Sequence, residues 1–267
     1  MKLYIKNFSS YRSDEDTINI KYELKNRYKI DTRRQNDFIH LAVYGAQLLK
    51  EKTSIDKDDE LYMTSAHGDC DVVQKTNTYV NKEKQTVKLF DFINLLGNTT
   101  SYYVAKSLNI SGKNIFQISD NFTYINTLIS LYASIYNSKK NAILCAIDLA
   151  SSPKEVSQRV LGISEDIDLL SSVNYQKFSL DKNNAIAQIE FNSKSYTLDE
   201  VKAMKILENN NVVTSVRCEK ILKQKDFIFF ETMASYAVNE AMKKSNDIIY
   251  IDCFNEKYKI LKLKNLR

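Results

Sequence analysis

Glycine and proline are nearly missing. Gly45, Gly68, Gly97, Gly112 and Gly162 are the five glycines in 267 residues, and Pro153 is the single proline. An average chain carries about 7% glycine and about 5% proline. Phosphate-cradling loops need glycines close together, because the backbone must approach the phosphate with no Cβ in the way. No two of these glycines are close enough for a G-x-G-x-x-G turn or a Walker loop. Dinucleotide and P-loop chemistry are excluded on that ground. Cysteine is sparse too: Cys70, Cys145, Cys218 and Cys253 stand far apart with no C-x-x-C. That spacing suggests neither a zinc site nor a disulfide framework, and reduced thiols are expected. No metal or cofactor is expected.

Long apolar runs are lacking as well. The longest apolar-leaning segment, Phe122 to Tyr136, is interrupted by Thr123, Asn126, Thr127, Ser130 and Ser134. It is shorter than a membrane span requires and reads as a buried helix. The first residues, Met1 to Phe8, are charged at short intervals and contain no apolar core of a secretory signal, so a cytoplasmic protein is expected. What is present is an ordinary globular balance of 43% hydrophobic, 27% charged and 11% aromatic residues, in a length that buries a substantial core. One large domain or two fused halves fit. The net charge of +5 is spread along the chain and selects no partner by itself.

Hydrophobic spacing gives an alternation of strands and helices, which argues for α/β layers. Strands are expected at Leu3–Ile5, Glu60–Thr64, Ile115–Ile118, Ala142–Ile147, Ala185–Phe191, Ile248–Ile251 and Tyr258–Leu263. A weaker apolar alternation runs through Ile18, Ile20 and Tyr22. Asn36 or Asp37 caps an expected helix from Phe38 to Leu49, whose Ile39, Ala42, Val43, Ala46 and Leu49 share a face. Further helices are expected from Val72, over Phe90 to Leu108, around Leu198 to Leu207 and over Thr232 to Lys243. The helix from about Asn121 to Tyr136 is apolar on most of its circumference, so it should be covered on several sides. Ala142–Ile147 is continuously apolar, as in a sheet sandwiched between helices. Residues 151–172, with the only proline, read as loop plus short helix and as the hinge between halves. No short-period repeat is visible. The expected organisation is a first half over 1–150, a connecting segment over 151–180 and a shorter second half over 181–267.

The stretch from Gly97 to Gly112 resembles the segment that precedes the nucleophile strand of β-ketoacyl synthases: an asparagine-containing turn opening a helix that ends in a leucine-x-glycine phrase. A strand ending in Ile118-Ser119, a long buried helix, and an apolar strand with an acidic residue (Asp148) follow in the family's order. Asp31–Leu49 resembles its early arginine-bearing helix, and Leu61–Asp69 the next strand and loop. Leu180–Phe191 resembles the strand opening its second half, and Phe230–Leu263 its last helix and closing hairpin. The resemblance implies a thiolase-like fold of two similar α/β halves with layered mixed sheets, a buried central helix, and dimerisation along a strand beside it. This chain is shorter than typical members, chiefly in its second half. The implied chemistry is decarboxylative Claisen condensation on carrier-protein thioesters, with a cysteine at the N-terminus of the central helix and an oxyanion hole of backbone amides.

The same resemblance places Asn121 at the cysteine position and Glu231 at a histidine position. His40 and His67, the only histidines, lie in the first half, and the loop Asp252–Glu256 lacks the glycines the family has there. An amide has no nucleophilic ionised form near neutral pH, whereas a thiolate would be stabilised at a helix N-terminus. No catalytic residues are therefore expected, and the implied role is that of a non-catalytic partner, comparable to the chain-length factors that pair with an active ketosynthase in fatty acid, polyketide or aryl-polyene pathways. An acyltransferase or hydrolase using Ser119, Thr123 or Cys70 is the alternative, and a homodimeric scaffold is a third. Capping by Ser119, Asp120 or Asn121 is the plainer role for that turn. The cluster Arg217, Lys220, Lys223 and Lys225 and the basic C-terminus, including Lys257 and Lys259, read first as solvated faces. Their functional reading is docking of an acidic acyl carrier protein. No motif supports nucleic-acid binding.

Overall fold

The computed structural model describes the chain except for Asp16, Asp120, 151–157, 159–163, 167–168, 209–210 and 219–231. Eight α-helices are described: α1 (Ile20–Asn26), α2 (Asp37–Lys50), α3 (Cys70–Asn77), α4 (Leu89–Asn94), α5 (Gly97–Leu108), α6 (Thr123–Ser138), α7 (Leu198–Ala203) and α8 (Met233–Lys243). Nine strands alternate with them: β1 (Lys2–Arg12), β2 (Glu60–Ser65), β3 (Asn114–Ile118), β4 (Ala142–Asp148), β5 (Ser172–Ser179), β6 (Ala187–Phe191), β7 (Val212–Thr214), β8 (Ile248–Phe254) and β9 (Lys257–Asn265).

The strands form one mixed sheet in the order β3-β2-β4-β5-β1-β6-β9-β8-β7. Its two parts repeat one plan. In the first, β2 pairs in parallel with β3 and β4, then β5 and β1 follow antiparallel. In the second, β7 and β8 are parallel, then β9 and β6 follow antiparallel. The antiparallel pairing of β1 with β6, from Lys2↔Glu190 to Ile5↔Ala187, joins the two. The second half therefore lacks a counterpart of edge strand β3 among the described residues.

Three apolar clusters set the layers. The innermost gathers α6 and α8 with one face of β4 (Ala142, Leu144, Ala146) and of β8 (Ile248, Tyr250), so both helices lie between the two parts of the sheet. This is why α6 is apolar nearly all round. The opposite face of β4 (Ile143, Cys145, Ile147) packs on α2 and α5, and that of β8 (Ile251, Cys253) on α7. Consecutive strand residues point to opposite faces, so a strand covered on both sides is apolar throughout.

Some sequence expectations need correction. Ile20 and Tyr22 belong to helix α1, started by Asn19, whose side chain accepts from Tyr22 N at 3.0 Å. The single helix expected over 90–108 is two, α4 and α5, separated at Leu95 and Leu96. The end of the expected connecting segment is strand β5, paired with β4 and β1 inside the first half's sheet. Most of the expected hinge, including Pro153, lies outside the described residues.

Candidate functional site

The parallel strands β2, β3 and β4 deliver three loop segments to one end of the first half's sheet. Ser119 N donates to Ser65 O at 3.1 Å, so the loop after β2 and the turn entering α6 lie side by side. His67, remote from α6 in sequence, is on that loop. Gly68 holds φ at 65°, a left-handed conformation that costs glycine little, and its N–H donates to Ser65 Oγ at 3.0 Å.

Asp148, at the end of β4, knots this end together. Its Oδ1 accepts from Ser65 Oγ and Ala66 N, both at 3.1 Å, and its Oδ2 from Thr232 N at 2.9 Å and Thr232 Oγ1 at 2.7 Å. Thr232 immediately precedes α8, so a carboxylate from one half sits at the N-terminus of the other half's central helix, where the helix dipole favours negative charge. Burial pushes the Asp148 carboxyl upward, opposed by its bonds from Thr232 and Ala66 and by the His67 charge.

At the N-terminus of α6 the arrangement differs. Asn121 precedes Phe122, which occupies the N-cap position with φ 46° and ψ 33°, a strained conformation for a bulky side chain. Ser119 Oγ donates to Asn121 O at 2.9 Å, Asn126 Nδ2 donates to the same oxygen at 3.1 Å, and Thr123 Oγ1 donates to Ser119 O. Both hydroxyls therefore hold the turn by donating to its carbonyls, and neither Ser119 nor Asn121 caps the helix as expected, since the N-cap is Phe122 and has no side-chain cap bond. The Phe122 ring meets that of Phe254 edge-on, centroids 6.5 Å apart. Phe254 comes from the β8–β9 hairpin, whose two-residue turn, Asn255-Glu256, has both φ values positive. That is the conformation a tight hairpin of this length demands, achieved here without the glycines that supply it most easily.

Two cations flank the ring pair. Lys259 Nζ lies 5.3 Å from the Phe122 ring centre and donates to Asn126 Oδ1 at 2.6 Å, and the Arg217 guanidinium lies 5.2 Å from the Phe254 ring centre. Lys259 is only 8% exposed, which overturns the reading of it as a solvated lysine. Burial lowers its pKa, partly offset by Asp252. Asp252 is raised by burial, against bonds from Ser215 and Cys253 N and the charges of Arg217 and Lys259. Asp252 lies near the end of β8 as Asp148 lies at the end of β4, and each has a serine beside it, Ser215 just after β7 and Ser65 at the end of β2. The phrases Thr64-Ser65 with Ile147-Asp148, and Thr214-Ser215 with Ile251-Asp252, were the sequence signal of this duplication.

Of the residues expected at the site, Asn121, Ser119, Thr123 and the 252–256 loop do converge. Cys70 begins α3, its Sγ donating to His67 O at 3.6 Å. Arg217 packs beside the site, whereas Glu231, Lys220, Lys223 and Lys225 lie outside the described residues. No cluster of metal-ligating side chains occurs among the described residues, and no described helix is long and apolar enough to cross a membrane.

No known family profile and no curated protein matches the sequence. Solved structures do. The ishigamide ketosynthase/chain length factor superposes with a TM-score of 0.73 at 10% identity, covering 100% of both chains. The chain has the thiolase-like fold of ketosynthases. A ketosynthase in complex with its chain length factor from Xenorhabdus doucetiae gives 0.62 at 8% identity over 98% of this chain and 99% of that one. A β-ketoacyl synthase from Burkholderia phymatum STM815 gives 0.62 at 10% identity over 100% of both. In thiolase-like terms, α6 is the central helix of the first half and α8 that of the second.

Proposed function

We propose that this chain is a non-condensing ketosynthase homologue that acts as the partner or chain-length-determining subunit of an active ketosynthase in fatty acid or polyketide-type, aryl-polyene-like synthesis. The observation that carries this reading is the α6 N-terminus. By the resemblance Asn121 takes the place of the family's cysteine; there the nearby hydroxyls donate to backbone carbonyls, and the adjacent Phe122 ring packs edge-on against Phe254. A serine or threonine becomes a nucleophile only with a base poised to take its proton. The buried amine of Lys259 is already bonded to Asn126. Arg217, Lys220, Lys223 and Lys225 would dock an acidic acyl carrier protein through their charge.

An unpaired sheet edge supports the partner role. β3 is an outer strand of the described sheet, and Ile118 on it, with Leu89, Phe92 and Leu96 on and after α4, is more than half exposed. An outer strand offers N–H and C=O groups that another chain's strand can pair, and large exposed apolar patches mark interaction surfaces. A ketosynthase contributing its own edge strand would continue the sheet, and a second copy of this chain is the competing occupant.

A second reading rests on the loop after β2, which carries both His67 and Cys70, the Cys70 thiol donating to the His67 carbonyl, and would make the chain a thiol acyltransferase or hydrolase. Incubation with acyl- and malonyl-carrier protein, followed by intact mass measurement, separates the two. The partner reading expects no adduct and co-purification with a ketosynthase that has its cysteine. A covalent acyl group mapped to Cys70, Ser119 or Thr123 would replace it with the enzyme reading, and a stable homodimer indifferent to ketosynthase would favour a scaffold.

A further inference from the structure

Where the two halves of the sheet join, β1 begins and β6 ends. Lys2 pairs with Glu190 there, and Glu190 in turn with Lys262 on β9. Residues opposite one another on neighbouring strands share a face, so these three charges stand in one row. Lys2 and Glu190 satisfy each other at 3.3 Å, and Glu190 also accepts from Gln188 Nε2 at 2.8 Å. Lys262 is exposed and has no ion-pair partner among the described residues, so the row carries one uncompensated positive charge. Lys262 lines a groove of about 770 Å³. Its walls include Tyr132 on α6, Phe191 at the end of β6, Tyr196, and Met204 and Ile206, which follow α7. The Tyr132 ring meets that of Phe191 edge-on, centroids 6.3 Å apart, and Met204 is 40% exposed.

Tyr196 is held firmly. Its N–H donates to Tyr258 O at 2.8 Å, and its own carbonyl accepts from Tyr258 N at 2.9 Å. Its hydroxyl oxygen accepts from Asn192 Nδ2 at 2.7 Å, while Asn192 Oδ1 accepts from Lys194 N at 3.0 Å and so fixes the amide. A phenol that accepts this bond keeps its own proton to donate elsewhere. The groove thus combines aromatic walls, a thioether, one oriented O–H donor and one free ammonium. We propose that it binds an aromatic carboxylate, its ring system against Tyr132, Phe191 and Met204 and its carboxylate held by Lys262 and the Tyr196 hydroxyl. A volume between about 300 and about 1,000 Å³, mostly apolar with a few convergent polar groups, is what small-molecule sites offer. Ring edges and a soft sulfur favour a flat aromatic body, and an ammonium makes its strongest hydrogen bonds to an anion. A neutral ligand would leave the Lys262 charge unmatched. Within the first half's sheet the groove is remote from Asp148, which pairs with Ser172 and through it lies level with Arg12, the far end of β1 from Lys2. The inference does not depend on the non-condensing reading.

The test is titration of the full chain with naphthoate, followed by NMR of isotope-labelled methionine methyl groups. The Met204 signal, assigned by its loss in Met204→Leu, is expected to move saturably, while those of buried Met63 and Met242 stay still. Affinity in the submillimolar range is expected for a ligand this small. Lys262→Gln changes an exposed residue and should leave the fold intact while weakening binding about tenfold, as should replacing naphthoate by naphthol, which lacks the carboxylate. Tyr196→Phe keeps the ring wall and should weaken binding about fivefold. The absence of a saturable Met204 shift in the unsubstituted protein, naphthol binding as tightly as naphthoate, or unchanged affinity in folded Lys262→Gln would overturn the proposal. Decanoate binding more tightly than naphthoate would overturn the aromatic assignment.

Discussion

The two halves of the sheet each carry a half-buried aspartate at or near the end of the penultimate strand, beside a serine, yet the two carboxylates do different work. Asp148 is surrounded by neutral donors, two of them from the residue that opens α8. Asp252 has fewer such donors and lies between Arg217 and Lys259, with no α6 backbone amide among its partners. Position in a duplicated fold therefore fixes where an acid sits but not what it bonds. The first acid clamps the second half's helix. The second leaves the α6 N-terminus to a pair of aromatic rings, the place where a condensing enzyme would need open space and an exposed nucleophile.

Breaking the clamp should have the largest effect. Asp148→Ala strands the Thr232 and Ala66 amides and two hydroxyls in a buried place, and a loss of about 3 kcal/mol is expected from the urea midpoint. A loss below about 1 kcal/mol would mean that water already reaches these donors. Next comes the buried polar seam between the helices and the sheet. Asn239 on α8 donates to Ser9 O at 3.0 Å and accepts from Gln176 Nε2 at 2.7 Å, while Gln176 accepts from Tyr124 on α6 at 2.7 Å. Asn239→Ala should cost about 2 kcal/mol and loosen both central helices, read as faster native-state amide exchange in α6 as well as α8.

That seam also explains where the sequence was hardest to read. β5 has Ser172, Asn174, Gln176 and Lys177 buried alongside Val173, Tyr175 and Phe178. Its sequence looks like a solvated connector because hydrogen bonds, rather than apolar contacts, satisfy half of its buried side chains. Lys177, for instance, pairs with buried Asp59 at 2.9 Å. By contrast, α2 was readable to within a residue, since Asn36 caps it through Ile39 N at 3.1 Å and its apolar face follows helical spacing. The Asn121 turn was not readable as it stands, because the N-cap is the left-handed Phe122, with no side-chain cap bond. Nor were the burial of Lys259 and the meeting of Phe122 with Phe254, because both depend on a hairpin folding back across the other half.

Smaller effects sharpen the comparison further. Because the folded state raises the Asp252 pKa, its contribution to stability is fully present below the ordinary carboxylate range and is lost as pH rises through the raised value. Asp252→Asn should therefore cost most in acid, by about 1 kcal/mol, and progressively less toward neutral pH. A cost that grows toward pH 7 would instead make Asp252 an ionic partner of Lys259 and Arg217. Finally, Phe92→Glu on the exposed face should change the stability of the isolated chain by no more than about 0.5 kcal/mol while abolishing its co-elution with a ketosynthase. Unchanged co-elution would move the partner surface away from α4 and β3.

Local chemistry written in the sequence determined most elements of this protein. Periodic apolar residues, an asparagine cap and the scarcity of glycine act within a few residues and need no distant partner to be decided. Only the tertiary structure decided that β1 and β6 pair to join two copies of one plan, and which acid clamps a helix. It alone buried Lys259 against Phe122 and Asn126. Those outcomes come from contacts between residues far apart in the chain, whose energies depend on burial and geometry that no local pattern encodes.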